Sequence, residues 1–248
     1  HRVPRYPPRA SGERARRVSI DLSLPWQVIE GDCLDVMRRL PDGCVDAVVT
    51  DPPYNAINRE TSGLRLLDKG AADSAPIDIP ALTAEFWRVC RGSFYVWCSD
   101  EQYTDWTVAF KALGATTRIC AWWKTNPSPM NGEALWLSAL ELCVFARKPL
   151  APFNLHCAHP VWREPVAEAN GHPTPKPVHL MQRQIRASLP PNGLVLDPFC
   201  GSGSTGVAAV GDAHRFIGIE NDPQWLPLAR RRIADAAAQC NLFHEATP

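Results

Sequence analysis

No apolar run in this sequence approaches the ~20 residues that a bilayer-spanning helix requires. The first residues are rich in Arg and Pro, and no apolar stretch follows them of the kind that marks a secretory leader. Both absences point to a cytoplasmic protein with no membrane partner. There is no CxxC pair among the nine cysteines, and Cys33, Cys44, Cys90, Cys98, Cys120 and Cys143 fall mostly in apolar segments. An odd, scattered set of this kind reads as buried free thiols in a reducing compartment rather than disulfides. His156, Cys157 and His159 cluster, but no second group follows at ligand spacing, so no metal is expected. Net charge is missing as well: 26 basic residues balance 26 acidic ones. Any binding of nucleic acid must therefore rely on local patches. Internal repeats and low-complexity tracts are absent too.

What is present is a chain able to fold. Hydrophobic residues make up 45% of 248 residues, enough for one sizeable core. Apolar runs alternate with helical patterns. Strands are expected at 26–30, 45–50, 93–98, 116–123, 139–146, 193–196 and 215–219. Helices are expected at 33–40, 79–91, 101–113, 177–188, 204–210 and 223–239. Such alternation predicts an α/β fold with a mainly parallel sheet. Residues 1–24 read as a basic irregular arm, with Arg2, Arg5, Arg9, Arg14, Arg16 and Arg17 against Glu13. It serves either as a phosphate-binding patch or as a solvated tail. Residues 25–248 read as one catalytic domain, with irregular stretches at 55–80 and 149–171. Of the tryptophans, Trp26, Trp87, Trp97, Trp106 and Trp136 fall at periodic positions and are read as packing.

Two motifs carry chemistry. In the first, the apolar strand Leu194-Val195-Leu196-Asp197 runs into Pro198-Phe199-Cys200-Gly201-Ser202-Gly203 and then a helix. Gly201 and Gly203 let backbone pass close to a ligand, and the helix start offers N–H groups to an anion. About 20 residues on, the next strand ends in Glu220-Asn221, where a carboxylate can accept from ribose hydroxyls. In the second, the buried strand 45–50 ends in Asp51-Pro52-Pro53-Tyr54. Adjacent prolines stop the ladder and stiffen the turn. Asp51 and the Pro52 carbonyl are suited to accept both hydrogens of an amino group, and Tyr54 offers a flat face to a base.

Together these motifs resemble those of the S-adenosylmethionine-dependent DNA amino-methyltransferases. The catalytic motif of that family has the form Asp/Asn/Ser-Pro-Pro-aromatic, and its cofactor motif the form Phe-x-Gly-x-Gly. The catalytic motif precedes the cofactor motif here, as in the circularly permuted β class. The resemblance runs from about Trp26 to Gln239 and implies a seven-stranded Rossmann-like sheet with helices on both faces. Strands 116–123 and 139–146 would form its hairpin-like end. It also implies S-adenosylmethionine as cofactor and DNA as partner, and it admits a homodimer and a cognate restriction enzyme. Gly31-Asp32-Cys33 looks like the segment that meets the cofactor's adenine. His172-Pro173-Thr174-Pro175-Lys176-Pro177 is similar to the family's His-Pro-Thr-Gln-Lys-Pro, so that Thr174 and Lys176 would hold the methionine end. Pro175 stands where Gln is usual. Residues 123–127 resemble a loop that lines the target-base pocket. Asp at the first catalytic position implies N6-adenine. N4-cytosine, an RNA amino group, or a subunit that binds without turnover stay open as alternatives.

Overall fold

The computed structural model describes residues 20–54, 77–129, 132–166 and 176–245, with side chains to residue 240. Most of the basic arm, residues 55–76 and 167–171 of the two irregular stretches, and Thr174 lie outside the described residues.

Among the described residues, eight strands and six helices follow one another. They are β1 (Trp26–Glu30), α1 (Cys33–Met37), β2 (Val45–Thr50), α2 (Ile79–Val89), β3 (Cys90–Cys98), α3 (Asp100–Ala112), β4 (Thr116–Lys124) and β5 (Leu140–Arg147). Then come β6 (Val161–Glu164), α4 (Val178–Ser188), β7 (Leu194–Asp197), α5 (Ser204–Gly211), β8 (Arg215–Glu220) and α6 (Leu226–Glu245). The strands form a single sheet in the order β1-β8-β7-β2-β3-β5-β4-β6. Among the described strands, only β5 runs antiparallel to its neighbours.

β2 is buried along all six residues, as a strand covered on both faces must be. On one face Val48, Phe94 and Leu196 pack under α1, α2 and α3 through Met37, Phe86 and Phe110. On the other, Ala47, Val49 and Val195 pack under α4, α5 and α6 through Leu180, Ala209 and Ile233. The result is the expected α/β sheet with helices on both faces. Short polar caps set the helix starts: the Ser99 hydroxyl accepts from Gln102 N–H, and the Asp78 carboxylate accepts from Ala81 N–H.

Three expectations need correction. The sheet has eight strands rather than seven, because β6 lies within the stretch read as irregular at 149–171. This four-residue strand pairs parallel with β4, Trp122 opposite Trp162, so the β4–β5 hairpin is not the sheet's end. Four residues at an edge are too few to show a period. Trp136 is fully exposed rather than packed, whereas Trp97 and Trp106 are fully buried. Helix α6 continues to Glu245, well beyond 239.

Candidate active site

In an open α/β sheet, a crevice forms where adjacent strands send the chain to opposite sides. β7 and β2 are such a pair. From β7 the chain crosses to β8 on one side, and from β2 it crosses to β3 on the other. The Gly-rich turn leaves the C-terminal end of β7, and Asp51 leaves the same end of β2. The two ends are tied directly: Thr50 Oγ1 donates to Asp197 Oδ1 at 2.8 Å. Asp197 is buried, with Phe199 N–H also on Oδ1 at 3.1 Å, so its carboxylate faces the protein and braces the turn. Burial pushes its carboxyl up to about 6, against the hydrogen bonds from Thr205 and Thr50.

The turn itself is built for close approach. Gly203 caps α5 with φ 82° and no side-chain cap. A Cβ at Gly203 would stand 3.1 Å from the Ala229 backbone of α6. Arg232 of α6 donates to the Ser202 carbonyl at 2.5 Å and to its hydroxyl at 3.0 Å, which pins the turn from below. Cys200 and Ser202 are buried, while Phe199 packs partly buried beneath the turn.

Moving outward along the sheet, β8 ends in Glu220. One carboxylate oxygen accepts from Gly201 N–H at 2.7 Å and the other from Asp222 N–H at 2.8 Å. Burial raises the Glu220 carboxyl, and those N–H groups oppose the rise. Asn221 follows, exposed. β1 lies beyond, and Gly31 N–H donates to the Glu220 carbonyl at 2.9 Å. Asp32 then caps α1, its Oδ1 accepting from Leu34 and Asp35 N–H at 2.9 and 3.1 Å. Cys33 stays a thiol, pushed up to about 12 by burial first and by Asp32 second. Four consecutive strands, β1, β8, β7 and β2, thus present Asp32, Glu220, the Gly-rich turn and Asp51 along one edge.

On the other side of Asp51 lies a cluster of charge. Lys176 Nζ sits 2.5 Å from Asp51 Oδ2 and 2.6 Å from Glu141 Oε1. Lys124 Nζ sits 2.8 Å from Glu141 Oε2. The Tyr54 hydroxyl lies 2.8 Å from Asp51 Oδ1 and 2.6 Å from Glu141 Oε1, and it accepts from Lys176 at 3.0 Å. Its single proton can serve one carboxylate at a time. Burial alone would push Glu141 up, but Lys176 and Lys124 outweigh it and hold the carboxyl well below the usual range. Burial likewise opposes the charge on Lys176, and Asp51 and Glu141 hold its ammonium well above the ordinary value. The Tyr54 phenol is driven far up by burial, then by the two carboxylates. Gln102 Nε2 of α3 fixes the turn through the Pro53 carbonyl at 3.0 Å.

The structure brings Asp32, Cys33, Asp51-Pro52-Pro53-Tyr54, the Phe199–Gly203 turn, Glu220 and Asn221 to one sheet edge, with Lys176 against Asp51. Lys176 departs from its expected neighbourhood, since its ammonium lies on Asp51 and Glu141 rather than at the Gly-rich turn. Glu141 was missed. Its signal is a lone acid inside the apolar run Leu140-Glu141-Leu142-Cys143-Val144-Phe145, and a charge in a buried strand needs a partner. Among the described residues no group of His, Cys, Asp and Glu is arranged to hold a metal. None of their helices is long and apolar enough to cross a membrane.

A parallel-rich sheet with a Gly-rich turn, an acid on the next strand and an Asp-Pro-Pro-Tyr segment across a switch point defines an open α/β fold with its ligand crevice at this edge. The comparisons sharpen this. A family model described as DNA methylase matches residues 121–231. The "DNA adenine methyltransferase YhdJ" of Escherichia coli (strain K12) is 29% identical, over 83% of this chain and 82% of that protein. The solved structure "M1.HpyAVI-SAM complex" is similar with TM-score 0.66 and 25% identity, covering 84% of this chain and 99% of the other. The cytosine-N4-specific PvuII DNA methyltransferase has TM-score 0.65 and 18% identity over 87% and 92% of the two chains, a likeness of fold.

Proposed function

We propose that this chain transfers the methyl group of S-adenosylmethionine to the N6 amino group of adenine in DNA. The observation that carries the reading is the meeting, across the β7–β2 switch point, of the Gly201–Gly203 turn with Asp51-Pro52-Pro53-Tyr54. Transfer to a DNA amino group is also the reading that the matched family model and the relatives support.

The residues of the edge fit the cofactor by the chemistry they offer. Asp32 uses one carboxylate oxygen for its cap, and with Cys33 it lies where an adenine amino group would be accepted. Glu220 and Asn221 follow at the ribose position. Phe199, Cys200, Gly201, Ser202 and Gly203 line the turn above the start of α5, where N–H groups favour a carboxylate. Thr174 is assigned to the methionine end, and Lys176 to the Asp51 side. Asp197 acts through the turn it braces. S-adenosylmethionine supplies a methyl group already activated by its sulfonium.

The rest falls to the protein. An amino group conjugated to a base ring is a weak nucleophile, and positive charge grows on its nitrogen as it attacks. The Asp51 carboxylate and the Pro52 carbonyl accept its two hydrogens, stabilise that charge and aim the nitrogen along the methyl–sulfur axis. The amino group is out of reach within a duplex, so the nucleotide flips out and stacks on Tyr54. The Tyr54 ring is held for this by its hydroxyl contacts, with Lys176 Nζ 5.2 Å from the ring centre. The arm at 1–24 and the stretches at 55–80 and 149–171 are assigned to DNA contact, and the last of these includes β6.

Incubating the protein with labelled S-adenosylmethionine and genomic DNA, then resolving the nucleosides by mass spectrometry, tests the reading. N6-methyladenine is the expected product. N4-methylcytosine alone would overturn the base but leave the chemistry, and no labelled DNA would overturn both.

A further inference from the structure

Both oxygens of the Asp51 carboxylate are engaged: Oδ2 by Lys176 and Oδ1 by the Tyr54 hydroxyl. A target amino group must be accepted by this same carboxylate, which has lone pairs left for it, but turning Asp51 toward the amino nitrogen loosens its hold on these partners. For a buried ammonium, that loosening is ruinous unless another anion holds it. Glu141 is that anion, 2.6 Å from Lys176, and it also lies within reach of the Tyr54 hydroxyl. Its other oxygen is held by Lys124, so Asp51 and Glu141 balance Lys124 and Lys176 charge for charge. The side chain of Lys176 is 9% exposed and that of Glu141 13%, which leaves little water to take over either partner.

We infer that Glu141 is a positioning residue for the proposed methyl transfer: it retains the Lys176 ammonium and the Tyr54 hydroxyl while Asp51 turns to the target amino group. Glu141 meets neither base nor cofactor in this scheme. β5, antiparallel between β3 and β4, presents it to Asp51 from the side opposite the Gly-rich turn. The inference rests on the proposed function and deepens it.

The test is a double-mutant cycle on the full chain, with kcat read at saturating S-adenosylmethionine and DNA, and cofactor Kd read by calorimetry. Glu141→Gln keeps the shape but removes the charge. It should lower kcat by roughly 30-fold or more, the scale of breaking a buried, hydrogen-bonded pair, with cofactor Kd within about threefold of wild type. Lys176→Met removes the ammonium that Glu141 is inferred to retain. In that background Glu141→Gln should change kcat by less than about threefold, and the double variant should run roughly tenfold faster than Glu141→Gln alone. A Glu141 that does not act through Lys176 gives a different pattern, with a double variant no faster than the single one. That result would overturn the inference, as would wild-type kcat in Glu141→Gln. Should Glu141→Gln fail to fold, its effect in the Lys176→Met background decides alone, and an undiminished loss there refutes the scheme. A wild-type protein that labels no DNA would bring down the functional reading itself, a failure distinct from these.

Discussion

Replacing Glu220 by Ala should weaken S-adenosylmethionine binding through a single carboxylate. In the structure that carboxylate accepts from Gly201 and Asp222 N–H, one on each oxygen, at 2.7 and 2.8 Å. Each oxygen keeps acceptor capacity for a ribose hydroxyl. A hydrogen bond to a charged group contributes about 1.5–3 kcal/mol, so losing the ribose contact should raise Kd by roughly 10- to 150-fold. The Gly-rich turn loses its brace in the same step, which pushes the result toward the upper end. Glu220→Gln separates the two contributions. An amide keeps one acceptor and turns an NH₂ group against one of the two backbone N–H groups, so it should bind more weakly than wild type despite its identical shape. Calorimetric titration of the three proteins with S-adenosylmethionine is the assay. A Kd for Glu220→Ala within threefold of wild type would refute the placement of the ribose and the reasoning from the turn.

Asp51→Ala should abolish methyl transfer and leave cofactor Kd nearly unchanged; Lys176 keeps its partner Glu141, so a cooperative melt should persist. A measurable kcat in that variant would count against Asp51 as the group that receives the amino nitrogen. Asp197 is raised to about 6 in the fold from an ordinary 3.8. The native state therefore holds its proton longer than the unfolded chain. Its contribution is complete below about pH 4 and lost as pH rises through 6, roughly 3 kcal/mol at most. Asp197→Asn should flatten the fall of unfolding free energy between pH 4 and 6, and identical slopes in urea melts would refute this. Deleting residues 1–17 should reduce the slope of log DNA affinity against log salt, because six arginines leave with the segment. An unchanged slope would make the arm a passive tail.

Much of this molecule was legible from local pattern. β1 and β2 appear with the bounds expected from the sequence; β2, covered on both faces, is buried along its length, whereas the edge strand β1 buries only Val28 and Ile29. Turn chemistry is equally local. Asp51-Pro52-Pro53 ends a ladder because proline has no N–H, and Gly203 adopts a positive φ that a side chain resists.

The tertiary structure decided what passes between distant segments. Glu141 lies 87 residues from Tyr54 and Lys176 lies 125 from Asp51, so neither pairing leaves a trace in any sequence window. Whether Asp197 faces a ligand or the Thr50 hydroxyl depends on strand register, since β7 pairs with β2 through only two residue pairs. Trp136 has the same hydrophobic character as Trp97, yet one is bare and the other sealed, because burial depends on what packs against a residue. Hydrophobic period and turn residues act over a few bonds and so determine which elements form and where they stop. Charge balance, by contrast, is set by groups that meet only after the sheet has closed, and for this chain that put the arrangement around Asp51 beyond the reach of sequence alone.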